Sequence, residues 1–341
     1  QSFNNFTVKT TEAVLTGDIV LDNDIQTAGN YRYYGEFRGN NHKISNITKP
    51  LFGNCINADI SSIRGEGNIS LTGNGAAIAG YLGNNSVLSR CSYSGSIESG
   101  GVRGGIVLRA ENSTITDCYN NSRLSGDSAA GIVYYTDNAN VINCYDTSDS
   151  PFAGETGNSN FINCYTTNEN DLWAETVTDE DIKEYSFAHS LNTTDGSNVN
   201  SGIWSSNGTM AVFADSENAP VYSVKLNSDN TIYRKADENT DLPVNPVYNG
   251  RVVLNWLYNG SAVENINNIY EDVALECDDA LLGDVDENSV LNKKDAANIL
   301  KFSSDIGTTD ERQKIICDYN RDSTIDLLDV VDIMRKVANG Y

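Results

Sequence analysis

The segment Ile142–Thr167, INCYDTSDSPFAGETGNSNFINCYTT, contains the tetrad Ile-Asn-Cys-Tyr twice, 20 residues apart. Related contexts lie upstream as ITDCYN around Cys118 and LSRCSY around Cys91, so four cysteines follow one another at spacings of 27, 26 and 20. A second column, Phe52, Ile78, Ile106, Ile132 and Phe152, keeps step with them. Each of its last four members precedes a cysteine by 12 or 13 residues. A third column, Ile60, Leu88, Ile115, Val141 and Phe161, stands three residues before the cysteine position. Self-similarity at 20 to 28 residues marks a solenoid, in which each repeat packs on its neighbours. The apolar pieces are short, lack a helical period and alternate with Gly, Asn and Ser, so they read as strands. The expectation is a β-solenoid of some five coils over about residues 26–170, roughly 24 Å long at ~4.8 Å per coil.

Cysteines in such a column act as small apolar core residues. A zinc site would need paired ligands at CxxC-like spacing with histidine nearby, and the pattern has neither. Seven cysteines cannot all pair with one another, and disulfides between coils would have to meet strict geometry. Stacked buried thiols are the favoured reading. Strand alternation then turns Tyr119, Tyr145 and Tyr165 outward, which makes them candidate glycan contacts. Rings stacked at ~4.8 Å would cover one another's faces, so a self-stacked, stabilising ladder is the favoured use of these tyrosines.

Two early coils carry a resemblance. YYGEFRGNNHKISNITKPLFGN (Tyr33–Asn54) and GAAIAGYLGNNSVLSRCSYSGSI (Gly75–Ile97) resemble the GLUG-motif repeats of extracellular bacterial β-helical proteins. The resemblance covers about residues 15–170 and implies a parallel β-helix. It also accounts for His42, which falls in the motif's turn. A solenoid end exposes strand edges and must be capped. The segment Asp171–Ala219, with Trp173, Phe187, Leu191, Trp204 and Phe213, suits that task. Thr178 and Asp181 predict an N-cap pair opening a helix through Leu191.

From Val221 the pattern changes to short strands (VYSVKL, TIYRKA, RVVLNWLYNG, DVALECD) bounded by Pro243, Pro246 and Asn-Gly turns at Asn249 and Asn259. This order resembles the small β-grasp-like internalin B-repeats of bacterial surface proteins. Trp256, between Leu254 and Leu257, reads as core.

The tail contains GDVDENSVLNKKDAANIL (Gly283–Leu300) and, 34 residues after Asp284, DYNRDSTIDLLDVVDIM (Asp318–Met334). Side-chain oxygens recur at loop positions 1, 3, 5, 9 and 12. They are Asp284, Asp286, Asn288, Asn292 and Asp295 in the first copy, and Asp318, Asn320, Asp322, Asp326 and Asp329 in the second. Position 7, which offers a backbone carbonyl, is Val290 or Thr324. Such a ligand set suits a hard cation with six to eight oxygen ligands, and the chemistry points to two Ca2+ ions. Ile299/Leu300 and Ile333/Met334 stand at one offset behind both loops, so a helix should follow each.

This duplicated loop-helix resembles a dockerin domain. The resemblance implies calcium-dependent folding and attachment to a cohesin domain of a scaffoldin in a cellulosome-type assembly. By position it also implies partner contacts at Lys293, Lys294 and Lys301 in one copy and at Leu327, Leu328 and Arg335 in the other. One charged and one apolar surface should favour a single binding orientation. Ser289 and Ser323 replace the glycine usual at position 6, and each costs about 1 kcal/mol if that residue is left-handed. The short connection to Gly283 predicts that the middle module packs against the dockerin-like tail.

The expected fold is therefore mostly β: a capped parallel β-helix (1–220), a small β-grasp-like module (221–280) and an α-helical dockerin (281–341). A formal net charge of −24 excludes phosphate-backbone and anionic-lipid partners. No apolar run approaches the roughly 18–20 residues of a membrane span. Gln1 opens onto polar sequence, as a mature secreted chain would. The solenoid is read as a structural module or as one binding plant cell-wall polysaccharide or a cell surface, with a polysaccharide lyase or glycoside hydrolase as the alternative. A polygalacturonase-like set of Asp pairs with Gly-His-Gly and Arg-x-Lys is missing. Arg90, Arg103, Arg109 and Arg123 are available to a lyase, but arginines on polar coils are usually solvated, and no catalytic residue is assigned.

Overall fold

The computed structural model describes residues 11–22, 32–125, 128–193, 200–304, 306–307 and 309–339. The chain divides into two compact units, 1–221 and 222–341.

The first unit is a parallel β-helix of about five turns. One sheet has seven strands, from Thr11–Val14 to Asn160–Ile162, and a second has eight, from Ile19–Val20 to Glu175–Thr176. The third face is divided between a five-stranded sheet (Phe52–Ile56 through Ala153–Thr156) and a three-stranded one around Arg103–Gly104. The column read from sequence stacks in register: Ile60, Leu88, Ile115, Val141 and Phe161 pair in succession, with Phe37 added below them. The amides of Phe52, Ile78, Ile106 and Ile132 each donate to the carbonyl of the next member of their column. The solenoid also starts earlier than expected, because Thr11–Val14 and Ile19–Val20 already pair in parallel with Gly35–Arg38 and with Ile44 and Ser45.

The Asn-Cys pair has a backbone explanation. The residues preceding the cysteine position, Ser62, Arg90, Asp117, Asn143 and Asn163, all have φ between 51° and 59°. Asn and Asp tolerate this left-handed corner better than most residues. The corner turns the next side chain inward, so Cys91, Cys118, Cys144 and Cys164 lie in the core as free thiols. Asparagine also links coils, since Asn163 Nδ2 donates to Asn143 Oδ1 at 2.8 Å.

Thr178 and Asp181 do cap one another: the Thr178 amide donates to Asp181 Oδ2 at 2.9 Å and the Asp181 amide to Thr178 Oγ1 at 3.1 Å. They open only a 3-10 turn, Asp181–Lys183. Glu184, with ψ of 145°, interrupts the predicted helix before α1 (Tyr185–Asn192). A hairpin, Trp204–Ser206 with Ala211–Phe213, follows.

Two of the three tyrosines do stack on one another, and the capping segment covers them, which removes Tyr145 as a candidate glycan contact. Tyr119 and Tyr145 stack at 5.1 Å with planes 9° apart, and Trp204, Phe213 and Phe187 pack around them. Tyr145 is fully buried and its hydroxyl donates to the Ala211 carbonyl. Tyr165 is half-buried against Phe187. The outward ladder is the seat of the cap, and Tyr145 offers no surface to a glycan.

The second unit begins with small β-sheets. Arg251–Tyr258 is flanked by Val247–Tyr248, Ser261–Val263 and Glu276–Leu281, all antiparallel to it. Val224 and Lys225 pair in parallel with Val273 and Ala274. The two Asn-Gly turns have positive φ at both residues, as a tight hairpin requires. Trp256 is core, its Nε1 donating to the Pro243 carbonyl at 2.9 Å. Among the described residues three helices complete the unit: α2 (Lys293–Ser303), α3 (Glu311–Cys317) and α4 (Leu327–Asn339). Helix α3 is an addition to the sequence reading. Val285, Leu291, Ala296, Ile299, Cys317 and Ile333 form the core between loops and helices. Val252, Ala280, Leu282 and Ile316 join the β-sheet to α3. Arg312 of α3 spans Asp278 (2.8 Å) and Glu287 (3.1 Å). No described helix is long and apolar enough to cross a membrane.

Candidate metal centre

The site is built where the strand Glu276–Leu281 ends. The Gly283 amide donates to the Ile316 carbonyl at 2.9 Å, which fixes the start of the first loop against α3. Gly283 has φ of +85°, and a Cβ there would meet Tyr319 Cδ2 at 2.8 Å and Ile333 Cδ1 at 2.9 Å. Only glycine lets the chain enter this way.

The first loop then wraps around its own carboxylates. Asp284 accepts from the amides of Asn288 (3.2 Å) and Ser289 (2.6 Å). Asp295, in the first turn of α2, accepts from Val285 (3.1 Å), Asp286 (3.4 Å) and Asn292 (2.9 Å). Asn292 caps α2 by accepting from the Lys294 amide at 2.8 Å, and it completes a capping box with Asp295. The result brings a carboxylate oxygen from each of Asp284, Asp286 and Asp295 within 4.8 Å of the others. Asp284 and Asp295 are buried and Asp286 is half-buried. This trio could hold a metal ion.

The electrostatics of the trio are unbalanced. Burial pushes the Asp284 carboxyl above its ordinary value, and the neighbouring Asp295 and Asp286 add to the rise. Asp286 is held below its ordinary value by Lys294, whose Nζ lies 2.6 Å from Oδ2. The other oxygen, Asp286 Oδ1, is buried without a hydrogen-bond partner. Carboxylates converging at this distance repel, and an orphaned buried oxygen is costly; a hard cation at their centre removes both penalties.

The second loop repeats the wiring. Asp318 accepts from Asp322 and Ser323, both at 3.0 Å, while Asp329 accepts from Asn320 (3.1 Å) and Asp326 (2.9 Å). Asp326 caps α4 by accepting from Leu328 at 2.7 Å, as Asn292 does for α2. At position 7, the amides of Val290 and Thr324 donate to Asn288 and Asp322 respectively, each at 2.9 Å. Ser289 and Ser323 have φ of 68° and 70°, so the left-handed cost anticipated at position 6 applies in both loops. Glu287 and Arg321, at position 4, are also left-handed. Among the described residues the second loop brings no carboxylate trio together. Asn320 stands where the first loop has Asp286, and Asp322 is turned onto Thr324 and Asn320. Thr324 holds the Asp322 carboxyl below its ordinary value.

The six residues read as partner contacts all lie on the surface. Lys293, Lys294 and Lys301 are exposed on α2, although Lys294 is engaged by Asp286. On α4, Leu327 and Leu328 are 61% and 57% exposed, and Arg335 pairs with Asp332 at 3.0 Å. The structure adds Val331 and Met334, which continue the Leu327 stripe at helical spacing and are also exposed. The spacing of Leu327, Val331 and Met334 is legible in the sequence, whereas their exposure depends on the packing of α4.

No family model, no curated protein and no solved structure matches the chain.

Proposed function

We propose that the chain is a secreted subunit of a cellulosome-type assembly, attached to a scaffoldin cohesin through a calcium-dependent, dockerin-like tail. The observation that carries this reading is the duplication of one hydrogen-bonded loop, position for position, ahead of both α2 and α4. A solvated acidic patch has no reason to repeat the same six amide-to-oxygen bonds. In this reading Asp284, Asp286, Asn288, Asn292, Asp295 and the Val290 carbonyl hold one Ca2+. Asp318, Asn320, Asp322, Asp326, Asp329 and the Thr324 carbonyl hold a second. Bound calcium supplies the charge that lets these carboxylates converge, and its extracellular abundance suits loops weakened by serine at position 6.

The exposed apolar stripe of Leu327, Leu328, Val331 and Met334 supports a protein partner. An exposed cluster of this kind beside a metal-ordered loop is a natural docking face. The matching positions of α2 are Lys293, Lys294, Ala297 and Leu300, so the two halves of the tail differ at the first two positions and are not interchangeable. The β-helix serves as the module presented by this attachment, a structural or polysaccharide-binding body.

The test is calorimetry of the full chain against purified cohesin domains of different types, in calcium and in EDTA. Calcium-dependent binding to one cohesin is expected, with Leu328→Glu weakening it at least tenfold (about 1.4 kcal/mol). Lack of binding to all of them, or equal binding in EDTA, would overturn the reading.

A further inference from the structure

The outer side of the five-stranded sheet of the β-helix carries a set of side chains that neither core nor cap uses. Register places Asn54 beside Tyr81, Tyr81 beside Arg109, Arg109 beside Tyr135 and Tyr135 beside Glu155 on successive coils. The Arg109 guanidinium lies 4.4 Å from the centre of the Tyr135 ring and pairs with Glu111, so its charge is already engaged. Tyr81 differs. Its ring lies across Gly83, where a Cβ would meet Cε1 at 2.6 Å, and its hydroxyl donates to Glu111 Oε2 at 2.8 Å. The ring is therefore fixed at its base and at its tip. Among the described residues no other ring or guanidinium packs on it. Tyr134 lies over Gly154 in a related way, with Cδ2 2.9 Å from the position of an added Cβ.

Beside Tyr81 opens a cleft of about 430 Å³, lined by Arg32, Asn54, Ile56, Tyr81 and Asn84. Arg32 donates to the Tyr34 hydroxyl at 3.2 Å and has no carboxylate partner among the described residues. The cleft thus combines a fixed aromatic ring with two amides, which both donate and accept, and a guanidinium fork. That is the chemistry that recognises a pyranose, whose C–H face packs on an aromatic ring while its hydroxyls exchange hydrogen bonds around the rim.

We infer that this cleft is a polysaccharide subsite, in which one hexopyranose ring of a neutral glycan stacks on Tyr81 and hydrogen-bonds with Arg32, Asn54 and Asn84. A coil spacing of about 4.8 Å is close to the length of one sugar along a chain, so a glycan running along the solenoid axis would meet one coil per residue. Charge selects a neutral ligand. The chain carries a formal −24, Glu111, Asp137 and Glu155 belong to the same sheet, and a polyuronate would be repelled. The inference deepens the polysaccharide-binding part of the proposed function and does not depend on the calcium loops.

The experiment is affinity electrophoresis of the full chain through gels containing hydroxyethylcellulose, xyloglucan or galactomannan, with polygalacturonate as the acidic comparison. Retardation is expected in at least one neutral glycan and not in polygalacturonate. Tyr81→Ala should weaken it about tenfold and Arg32→Gln several-fold, while Tyr270→Ala, an exposed tyrosine of the other unit, should leave it unchanged. Unchanged melting of the first unit would separate lost contact from lost fold in these surface variants. Migration unaffected by all three neutral glycans, stronger retardation by polygalacturonate, or parental binding by Tyr81→Ala would each overturn the inference. Failure of cohesin binding alone would leave it standing, because the readout does not involve the tail.

Discussion

The two loops of the tail share a hydrogen-bond pattern and differ in depth. In the first, Asp284 is 2% exposed, and three carboxylates converge behind Gly283. In the second, Asp318, the counterpart of Asp284, is half-buried, and the residue preceding the loop is Cys317 rather than glycine, while the position-5 residues Asn288 and Asp322 are exposed in both. Wiring follows from the repeated side chains, whereas depth follows from what packs around them. Tyr319, Leu291 and Ile333 crowd the entry to the first loop at Gly283. The difference teaches that one motif, repeated within one compact unit, can yield one loop whose carboxylates converge and, among the described residues, one whose carboxylates do not.

Removing the position-12 carboxylate from each loop should break the comparison most strongly. Asp295 and Asp329 are both fully buried and both hold backbone amides. Asp295→Ala should strip the first loop of its cation and of three amide acceptor contacts, costing about 3 kcal/mol or more. Asp329→Ala should cost less, because its loop holds no preformed trio. Calcium titration calorimetry with thermal melting reads both. Equal losses would mean that the depth difference carries no energetic weight.

Ser289→Gly and Ser323→Gly sharpen the comparison from the other side. The two serines have nearly the same left-handed φ, so each change should relieve about 1 kcal/mol of strain and raise calcium affinity roughly five-fold. The gains should be alike in the two loops. Unequal gains would place the difference in the backbone instead of in the surrounding packing.

The smallest expected effect is a pH dependence of opposite sign in the calcium-free chain. Asp284 has a folded value raised by burial, so the folded state holds its proton more tightly than the unfolded one. Its contribution therefore falls as pH rises from its ordinary value of 3.8 through the raised value. Asp322 has a folded value lowered by Thr324, so its contribution is present above 3.8 and is lost as pH falls through the lowered value. Asp284→Asn should accordingly stabilise the calcium-free tail at neutral pH, and Asp322→Asn should not. Melting curves in EDTA between pH 3 and 7 would show it, and a matching response from both variants would contradict the assignment.

Much of the fold was legible in the residues themselves. The columns led by Ile60 and Phe52 hold phase because a parallel solenoid stacks equivalent residues, so sequence period and spatial register are the same quantity. The Asn-Cys pairs were legible as core markers, although their left-handed corner was not. The repeated acidic loops were legible because their spacing is local: twelve residues contain every side chain that accepts from the loop's own amides. The tyrosine column was legible as a self-stacked ladder, but its cover was not. Alternation gives the direction in which Tyr145 leaves its strand, but it cannot say that Trp204 and Phe187, about 40 to 60 residues later, return to cover it. Helix α3 escaped notice for a related reason, since seven residues carry too little period to be read.

The sequence by itself determined a parallel β-helix, a small β module and two repeated acidic loops, because each depends on spacing within one repeat. Tertiary structure alone decided which tyrosines are covered, which loop closes around its carboxylates, and that Tyr81 lies across Gly83 beside an open cleft. These depend on distant segments meeting, and burial is a property of the neighbours a residue acquires rather than of the residues beside it in the chain.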